Sequence, residues 1–324
     1  MFRALSGLLI FGVSLVSGSL VSQAAEKAVY PVVVEHKLGT TTIPEEPQRI
    51  VTLGWNGEDA VLSLGIKPIA MPRYGSFPTG IFPWNEELLG TAKPQLLSGD
   101  LDFEDLAALR PDLILGVYSG ISELEWKRLS KIAPTVVYRS GPWAADWREV
   151  MIQTGLALGV PDQAEQLLLE TDSFLRKLGE DHPVLQGKTF TFGTFFPGAN
   201  SLVVYLPNDP RVAALIRLGL KPSSGVERLA KDNATETSVS VSLEQIGEID
   251  ADILIMWYRE GARDAAEAQP LFQTLGVVKR GSYVALDDPV SVWSTSALSV
   301  LSIPYGFSRF IPRLAEAAAA AKER

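Results

Sequence analysis

Aromatic and arginine side chains closely follow the short apolar segments that the sequence predicts to be buried strands. Because ligands of open parallel sheets bind outside the carboxyl ends of the strands, these positions are the first candidates for a site. In chain order the candidates are Trp55, Arg73, Tyr74, Tyr118, Arg139, Tyr205, Trp257, Tyr258, Arg259 and Trp293. Trp143 follows Arg139 in the same connection. We predict that the candidates wall one binding site.

The two kinds of side chain suit one kind of ligand. Aromatic rings offer flat, rigid surfaces that lose little rotamer entropy on binding. Arginine offers a planar fork of donors that matches anionic oxygens and stays charged. Together they favour a bulky, oxygen-rich, partly aromatic anion. The competing interpretation is that such rings only close the ends of the core, and it applies best to Phe195 and Phe196.

Sequence motifs of common enzymes are missing from the chain. It has no GxxxxGK[ST] phosphate loop, no GxGxxG after a strand, no GxSxG elbow and no HExxH. His36 and His182 lie outside the predicted strand ends, and Asp287-Asp288 is more typical of a turn than of a catalytic pair. We therefore predict a binding protein rather than an enzyme.

Composition excludes several other classes of protein. A hydrophobic fraction of 46% supports a sizeable core, while a net charge of −9 disfavours nucleic-acid binding. The chain has no cysteine, which excludes disulfides, thiolate metal sites and a lipid-modified N-terminal cysteine. Two histidines are too few for a histidine-based metal centre. We predict no resident metal and no cofactor.

Residues 1–24 have the layout of a cleavable export signal. Arg3 gives a positive start, the next 18 residues carry no charge, and Ser22-Gln-Ala24 places small residues before a cut. A membrane anchor is the alternative, because 18 uncharged residues nearly span a bilayer, but three glycines weaken that stretch. We predict cleavage after Ala24 or Ala25, no permanent membrane anchor and a periplasmic location.

The rest of the chain alternates predicted strands and helices, the pattern of parallel βα units. The predicted strands are Ile50–Leu53, Pro68–Met71, Asp112–Gly116, Thr135–Tyr138, Lys188–Thr194, Leu202–Tyr205, Asp252–Trp257 and Ser282–Leu286. We predict an α/β fold with two Rossmann-like lobes, each with a parallel central sheet, joined by one long helix. The predicted lobes are residues 25–142 and 187–324, and 143–186 is the connecting helical segment.

One internal echo supports two similar lobes. Leu101–Leu115 (LDFEDLAALRPDLIL) and Val241–Ile255 (VSLEQIGEIDADILI) both predict a cap, an amphipathic helix, a tight turn through Asp and a buried strand. The two copies lie on either side of the longest helical stretch. A pair of sibling lobes explains this best, although ordinary βα units can produce such an echo by chance.

The chain resembles the periplasmic iron-siderophore and cobalamin binding proteins of ABC importers, the class III substrate-binding proteins with a helical backbone. The motifs are PQRIVT at residues 47–52, FEDLAALRPDLI at 103–114 and LSKIAPT at 129–135, followed by the long helix and the second-lobe echo. The resemblance covers nearly all of residues 47–318.

The resemblance implies a ligand held between the lobes and docking on an inner-membrane ABC permease. In similar proteins one glutamate on each lobe meets arginines of the permease, and the matching positions here are Glu104 and Glu244. A structural explanation competes with this role, because an acid in the first turn of a helix is favoured by the helix dipole.

The resemblance leaves the chemical class of the ligand open. Tyr118 matches a tyrosine that contacts the siderophore in some hydroxamate binders, but Gly99-Asp100 stands where those relatives carry an arginine. Arg73, Arg139 or Arg259 would have to substitute for it. Several arginines at the ligand would favour a multiply charged catecholate or carboxylate complex, whereas one or two suffice for a hydroxamate.

The leading hypothesis is a monomeric periplasmic receptor that captures a ferric siderophore, with the iron arriving inside its chelator, and delivers it to a permease. Cobalamin or heme binding by the same architecture is an alternative. A third hypothesis, from a different class, is an exported α/β hydrolase or reductase that releases iron.

Overall fold

A computed structural model describes residues 29–321, so the predicted signal peptide lies outside the described residues. After an opening hairpin, the first half alternates short strands and helices. These elements are β1 (Val32–His36), β2 (Gly39–Ile43), β3 (Ile50–Thr52), α1 (Gly57–Ser63), β4 (Ala70–Pro72), α2 (Pro83–Leu89), β5 (Gln95–Leu97), α3 (Phe103–Ala108), β6 (Leu113–Gly116), α4 (Glu123–Leu129) and β7 (Thr135–Val137). Within residues 29–321 no helix is long and apolar enough to cross a membrane.

The first sheet is parallel, with strand order β5-β4-β3-β6-β7. Every residue of β3, β6 and β7 is buried, as expected for a parallel sheet that other elements cover on both faces. The edge strand β5 is absent from the sequence prediction, because Gln95 is exposed and its two leucines are only half-buried. The antiparallel hairpin β1–β2 is also absent from it.

Two consecutive helices follow the first sheet, α5 (Trp147–Ala157) and α6 (Pro161–Asp181). Asp146 caps α5 by accepting a hydrogen bond from the backbone N–H of Glu149 at 2.8 Å. Helix α5 packs against α1, β1 and β7 of the first half and against α6. The α5–α6 contact is close, since a Cβ on Gly155 would lie 2.4 Å from the Cβ of Ala164.

Helix α6 is the long connecting helix that the sequence predicts. Its 21 residues give a length of about 32 Å. One face is buried at Ala164, Leu168, Thr171, Leu175 and Gly179, close to the period of an α-helix. Near the end of α6, a Cβ on Gly179 would lie 2.9 Å from the Leu218 carbonyl oxygen, so the helix meets the second half there without an intervening side chain.

The second half contains a larger set of elements. They are β8 (Thr189–Phe195), β9 (Ser201–Tyr205), α7 (Pro210–Arg217), β10 (Lys221–Pro222), α8 (Ser224–Asp232), β11 (Ser238–Ser242), β12 (Ile253–Trp257), α9 (Ala262–Glu267), α10 (Gly276–Lys279), β13 (Tyr283–Leu286), α11 (Pro289–Ser296) and α12 (Ser302–Ala320). Short 3₁₀ helices span Pro183–Leu185, Leu243–Ile249 and Phe272–Thr274.

The second sheet is mixed rather than purely parallel. Its order is β11-β9-β8-β12-β13, with β10 paired to β8. Strands β8, β10, β12 and β13 are parallel, but β9 runs antiparallel to β8 and β11 antiparallel to β9. The physical reason is the length of the β8–β9 connection: residues 196–200 are too few for a parallel crossover, which needs a dozen or more residues.

The internal echo corresponds to equivalent positions in the two halves. Strand β6 lies between β3 and β7 in the first sheet, and β12 lies between β8 and β13 in the second. The preceding helices are capped alike, by the side chains of Asp102 and Ser242. They differ in type, because the first is the α-helix α3 and the second is a 3₁₀ helix.

The C-terminal segment crosses back to the first half. The sequence predicts a helical segment over residues 296–321, interrupted near Pro304 and Pro312. The structure instead has a bend at residues 297–301 between α11 and α12, and α12 continues through both prolines. In this bend the Leu298 carbonyl accepts a hydrogen bond from Asn56 at 2.6 Å, and the Ser299 hydroxyl bonds Asp59 at 2.5 Å. Residues 297–301, called the crossing segment below, therefore bind the first half.

One hydrophobic cluster extends through both halves. It contains Ile50 of the first sheet, Leu168 of α6 and Ile255 of the second sheet, together with Phe307 of α12. All four side chains are buried. The two halves therefore share a core in addition to the connecting helix.

Candidate functional site

The carboxyl ends of the first sheet open onto a cavity of about 670 Å³. Its wall consists of the loops after β3, β4, β5 and β6, a loop after β7 and one residue of α11. The side chains important below are Trp55, Arg73, Tyr74, Asp100, Asp102, Asp105, Glu125, Trp143 and Trp293. The volume lies within the range of small-molecule sites, and the position is the one that parallel sheets use for ligands.

Four aromatic rings meet at one side of the cavity. The ring centroid of Trp55 lies 6.0 Å from that of Tyr118, 5.4 Å from that of Trp143 and 5.2 Å from that of Trp293. Trp293 lies on α11, so both halves of the chain contribute to the cluster. The indole of Trp55 is 38% exposed and faces the cavity with much of its surface unpaired.

The loop that carries Trp55 is fixed by its backbone. Gly54 has a φ of +83°, and a Cβ there would lie 2.2 Å from the carbonyl oxygen of Tyr118, so only glycine fits. The backbone N–H of Trp55 donates to that same carbonyl at 2.9 Å. Asn56 follows in the left-handed region with a φ of 48° and reaches the crossing segment through its side-chain amide. The tryptophan is thus held before any ligand arrives.

A buried carboxyl pair lies beneath this loop, in the first turn of α1. Asp59 accepts hydrogen bonds from the Trp84 indole at 2.8 Å, the Asn85 amide at 2.6 Å and the Ser299 hydroxyl. Burial raises the pKa of Asp59 to about 6, although these hydrogen bonds oppose the shift. Burial, and then the adjacent Asp59 charge, raise the pKa of Glu58 to about 8. Glu58 is therefore the member of the pair that keeps its proton at neutral pH.

The second half presents a guanidinium group held in place by its neighbours. Arg211, near the start of α7, stacks on the Tyr205 ring, with 3.6 Å between the guanidinium carbon and the ring centroid. Asp209 holds it through two hydrogen bonds, from Nε at 2.8 Å and from a terminal nitrogen at 2.7 Å. The Tyr205 hydroxyl in turn accepts from the Trp257 indole at 2.9 Å.

Tyr118 lies beside the cavity without lining it. Burial raises the pKa of its hydroxyl, while the Arg211 charge acts in the opposite direction. Tyr118 also packs edge-on against Trp55 and Trp143. The aromatic side chains thus form a chain of contacts from one half to the other.

Arg259 lies at the outer rim of the second half. Its guanidinium carbon lies 5.7 Å from the Phe196 ring, and that ring lies 6.2 Å from the Trp257 ring. Both Arg259 and Phe196 are exposed. Phe196 therefore extends the aromatic surface, whereas Phe195 is buried in the core.

Four of the ten predicted binding residues line the cavity, namely Trp55, Arg73, Tyr74 and Trp293. The other six lie outside its lining: Tyr118, Arg139, Tyr205, Trp257, Tyr258 and Arg259. Tyr258 is 1% exposed, and its hydroxyl accepts from Tyr283 inside the second core, because successive side chains of a strand point to opposite faces. Arg139 is exposed, lies outside the cavity lining and has its backbone bonded to Glu149. Tyr74 touches the cavity but is 3% exposed and stacks on Phe82, so it supports the floor.

The prediction missed Arg211 and Asp209. They lie at the start of a helix, whereas the strand-end rule considers only positions just past strands. The available signal was the run Asp209-Pro210-Arg211. Asp followed by Pro is typical of a helix start, and here it places the Arg211 side chain beside the capping carboxylate of Asp209.

The arrangement suits capture of a preformed complex. Within residues 29–321 no group of three or more His, Asp or Glu side chains is arranged to hold a metal ion. The cavity instead offers the flat surfaces of Trp55, Trp143 and Trp293 and the oxygen-directed donors of the Arg73 guanidinium group.

Comparison with known proteins identifies the family. Residues 78–289 match the family model described as "Periplasmic binding protein". The chain belongs to this family. Its members and structural neighbours are substrate-binding proteins rather than enzymes, which confirms the prediction that the chain is not an enzyme.

Two curated relatives of this periplasmic binding protein from Bacillus subtilis (strain 168) illustrate the match. One is named "Probable siderophore-binding lipoprotein YfiY" and is 30% identical over 277 residues, covering 81% of this chain and 82% of the relative. Another, named "Fe(3+)-citrate-binding protein YfmC", is 27% identical and covers 79% and 78% respectively. These matches confirm the resemblance to siderophore-binding components of ABC importers.

A solved structure of similar fold is PiaA from Streptococcus pneumoniae TIGR4 in complex with ferrichrome. It has a TM-score of 0.80 and 28% identity, and covers 89% of this chain and 99% of that one. This likeness confirms the predicted class of fold, with two α/β lobes and a connecting helix.

Proposed function

We propose that this periplasmic binding protein captures a ferric siderophore between its halves and delivers it to an inner-membrane ABC permease. The observation that carries the proposal is the wall of rings from both halves around the cavity, formed by Trp55, Trp143 and Trp293. A ferric siderophore presents a broad surface of carbon atoms around an oxygen-coordinated metal. Rings match the carbon surface, and guanidinium groups match the oxygens.

The relatives support an iron complex but leave the chelator open, because one is an Fe(3+)-citrate-binding protein and a solved structure of similar fold holds ferrichrome. Heme receives no support from the geometry of the described residues. His36 bonds Thr41 and His182 bonds the Leu178 carbonyl, and neither histidine lines the cavity. An export location agrees with the family and with the sequence of residues 1–24.

Tryptophan fluorescence tests the proposal directly. Purified protein is titrated with hydroxamate, catecholate and carboxylate ferric complexes, with cobalamin in parallel. We expect saturable quenching at sub-micromolar concentration with one ferric class and recovery of the unchanged complex. Trp55→Ala and Trp293→Ala should each weaken affinity about tenfold or more, because each removes a wall of the cavity.

Trp126→Phe serves as the matched control. Trp126 packs on His36 beside the hairpin, away from the cavity, so its loss should leave ligand affinity unchanged. The proposal is wrong if no ferric complex binds, if cobalamin binds more tightly than all of them, or if Trp55→Ala and Trp126→Phe have equal effects on affinity.

We further propose that Glu104 and Glu244 dock on the permease. Both side chains are exposed. Glu104 lies near the start of α3, and Glu244 lies near the start of the corresponding 3₁₀ helix of the second half. Among residues 29–321 neither glutamate forms an ion pair. Glu104→Ala/Glu244→Ala should abolish iron uptake in cells while leaving ligand affinity intact. The control is Glu87→Ala/Glu165→Ala, which removes two exposed acids elsewhere and should preserve uptake. Normal uptake by the Glu104→Ala/Glu244→Ala variant would refute docking through these residues.

A further inference from the structure

We propose that the cavity selects ferric complexes of zero or positive net charge, and that a cationic group on the ligand faces the carboxylates of the first half. This inference rests on the proposed function and narrows its ligand class. It follows from the charges that surround the cavity.

The cavity wall carries more acids than bases. Arg73 is the one positively charged side chain among the lining residues of the described chain, against four carboxylates from Asp100, Asp102, Asp105 and Glu125. Asp102 caps α3, and Glu125 closes the capping box of α4 with Ser122. Those two acids have structural partners, but they keep their negative charge beside the cavity.

Asp100 and Asp105 have no comparable capping role. Both side chains are exposed on the cavity side, and among residues 29–321 neither forms a hydrogen bond or an ion pair through its carboxylate. Two unpaired carboxylates that share a cavity wall with one guanidinium make this side of the site net negative. A cationic group on a ligand would find partners here that an anionic group would not.

The arginines of the second half do not reverse this balance. Arg211 points two of its nitrogens at Asp209, so the pair presents a directed donor with almost no net charge. Arg259, near Phe196, and Arg139 both lie outside the cavity lining. The balance among the lining residues therefore stays at four carboxylates against one guanidinium group.

The affinity for a ligand should therefore fall as the net charge of that ligand becomes more negative. In a partly enclosed site, charges several ångströms apart interact far more strongly than in bulk water. We expect about a tenfold loss of affinity for each added negative charge on an otherwise identical ligand. The chain's overall charge of −9 acts in the same direction at longer range. Trianionic catecholate complexes and polyanionic carboxylate complexes are then the poorest ligands.

A matched ligand series separates charge from shape. Ferrioxamine B carries a free ammonium group, its N-acetyl derivative is neutral and its N-succinyl derivative is anionic, while all three share one trihydroxamate core. Fluorescence titrations of the whole protein at low and high salt give the affinities. We expect the order cation, neutral, anion, with the differences reduced at high salt because screening weakens exposed charges.

The double variant Asp100→Asn/Asp105→Asn should bring the three affinities together without weakening the neutral ligand. The control variant Glu87→Gln/Glu165→Gln removes the same total charge from exposed positions outside the cavity and should preserve the order.

Two kinds of negative outcome are distinguishable. The inference is overturned, with the proposed function intact, if the three ferrioxamines bind equally, if the anionic form or a ferric catecholate binds most tightly, or if the double variant behaves like its control. If no ferric complex of any class binds, the proposed function fails and this inference fails with it.

Discussion

At the scale of single residues, the second half of the site is organised around Arg211. Its guanidinium group is 17% exposed, and the Asp209 carboxylate that holds it is 3% exposed. The pair resists rearrangement because each partner satisfies the other and the Tyr205 ring covers one face. A ligand that reached Arg211 would meet a donor that is already ordered, which would reduce the ordering cost of binding.

This pair gives a prediction for stability. Arg211→Met should lower the free energy of unfolding by about 3 kcal/mol, because it leaves a buried carboxylate without its partner. Asp209→Asn/Arg211→Met should lose less than Arg211→Met alone, since no uncompensated charge remains. The comparison is Lys127→Met at the exposed Glu123 pair, where a much smaller loss is expected because solvent screens the pair. Chemical denaturation measures all three, and equal losses for Arg211→Met and Lys127→Met would contradict the assignment.

A second prediction concerns the protonated carboxyl of Glu58. A free glutamate ionises near pH 4.5, whereas the buried group holds its proton to about pH 8. Between these values the folded state binds more protons than the unfolded state, so stability is full at low pH and falls as pH rises, by up to about 1.4 kcal/mol per pH unit.

Glu58→Gln removes this titration, so its unfolding free energy should depend less on pH than that of the natural chain between pH 5 and pH 8. Denaturant titrations at several pH values measure both slopes. Because the slopes are compared, an offset caused by the new amide does not matter. Parallel curves would show that Glu58 is ionised in the folded protein.

At the scale of elements, the position of Trp293 depends on how closely α11 packs on α12. Gly306 of α12 touches α11, and a Cβ there would lie 2.0 Å from Ser294 Oγ and 2.3 Å from its Cβ. The φ of Gly306 is ordinary, so the close approach alone explains the glycine. Helix α11 can therefore approach the cavity only while position 306 stays small.

Gly306→Ala should displace α11, lower the free energy of unfolding by about 1–3 kcal/mol and weaken ligand binding through Trp293. Gly247→Ala is the matched control, because its added Cβ meets open space. Thermal denaturation and fluorescence titration provide the two readouts. Retained affinity in Gly306→Ala would show that α11 is not needed to position the tryptophan.

The sequence predicts elements better than it predicts which side of a strand end faces the ligand. Apolar runs located the strands, and the strand-end rule led to Trp55 and Trp257. The same rule included Tyr258, which the two-residue alternation of the strand turns into the core. It omitted Arg211, because that residue lies at a helix start, where Asp209 and the Tyr205 ring hold it. Pairings such as Asn56 with Leu298, 242 residues apart, leave no local pattern to detect.

At the scale of the whole molecule, two connections resist relative motion of the halves. Helix α6 is continuous over 21 residues, and the crossing segment is hydrogen-bonded to Asn56 and Asp59. Bending at a single hinge would require breaking one of these connections. Ligand binding should therefore adjust side chains more than it moves the halves.

The absence of cysteine makes this testable without background labelling. Spin labels at Glu87→Cys and Lys231→Cys, both exposed and on opposite halves, report the distance between halves. We expect a change below about 2 Å on adding the gallium(III) form of the tightest-binding chelator, which is diamagnetic. Labels on Glu87→Cys and Glu123→Cys, both in the first half, serve as the rigid control. A shift of several ångströms between the halves would show a hinge.

The crossing segment also bears on whether either half could exist alone. A fragment that stops before α6 would keep Asn56 and Asp59 but lose Leu298 and Ser299, which satisfy them. It would also expose the core surface that Leu168 covers. Calorimetry of the intact chain should then give one endotherm whose van't Hoff and calorimetric enthalpies agree. Despite its bilobed outline, the molecule should melt as one cooperative unit, and neither lobe should survive proteolytic excision as a stable piece.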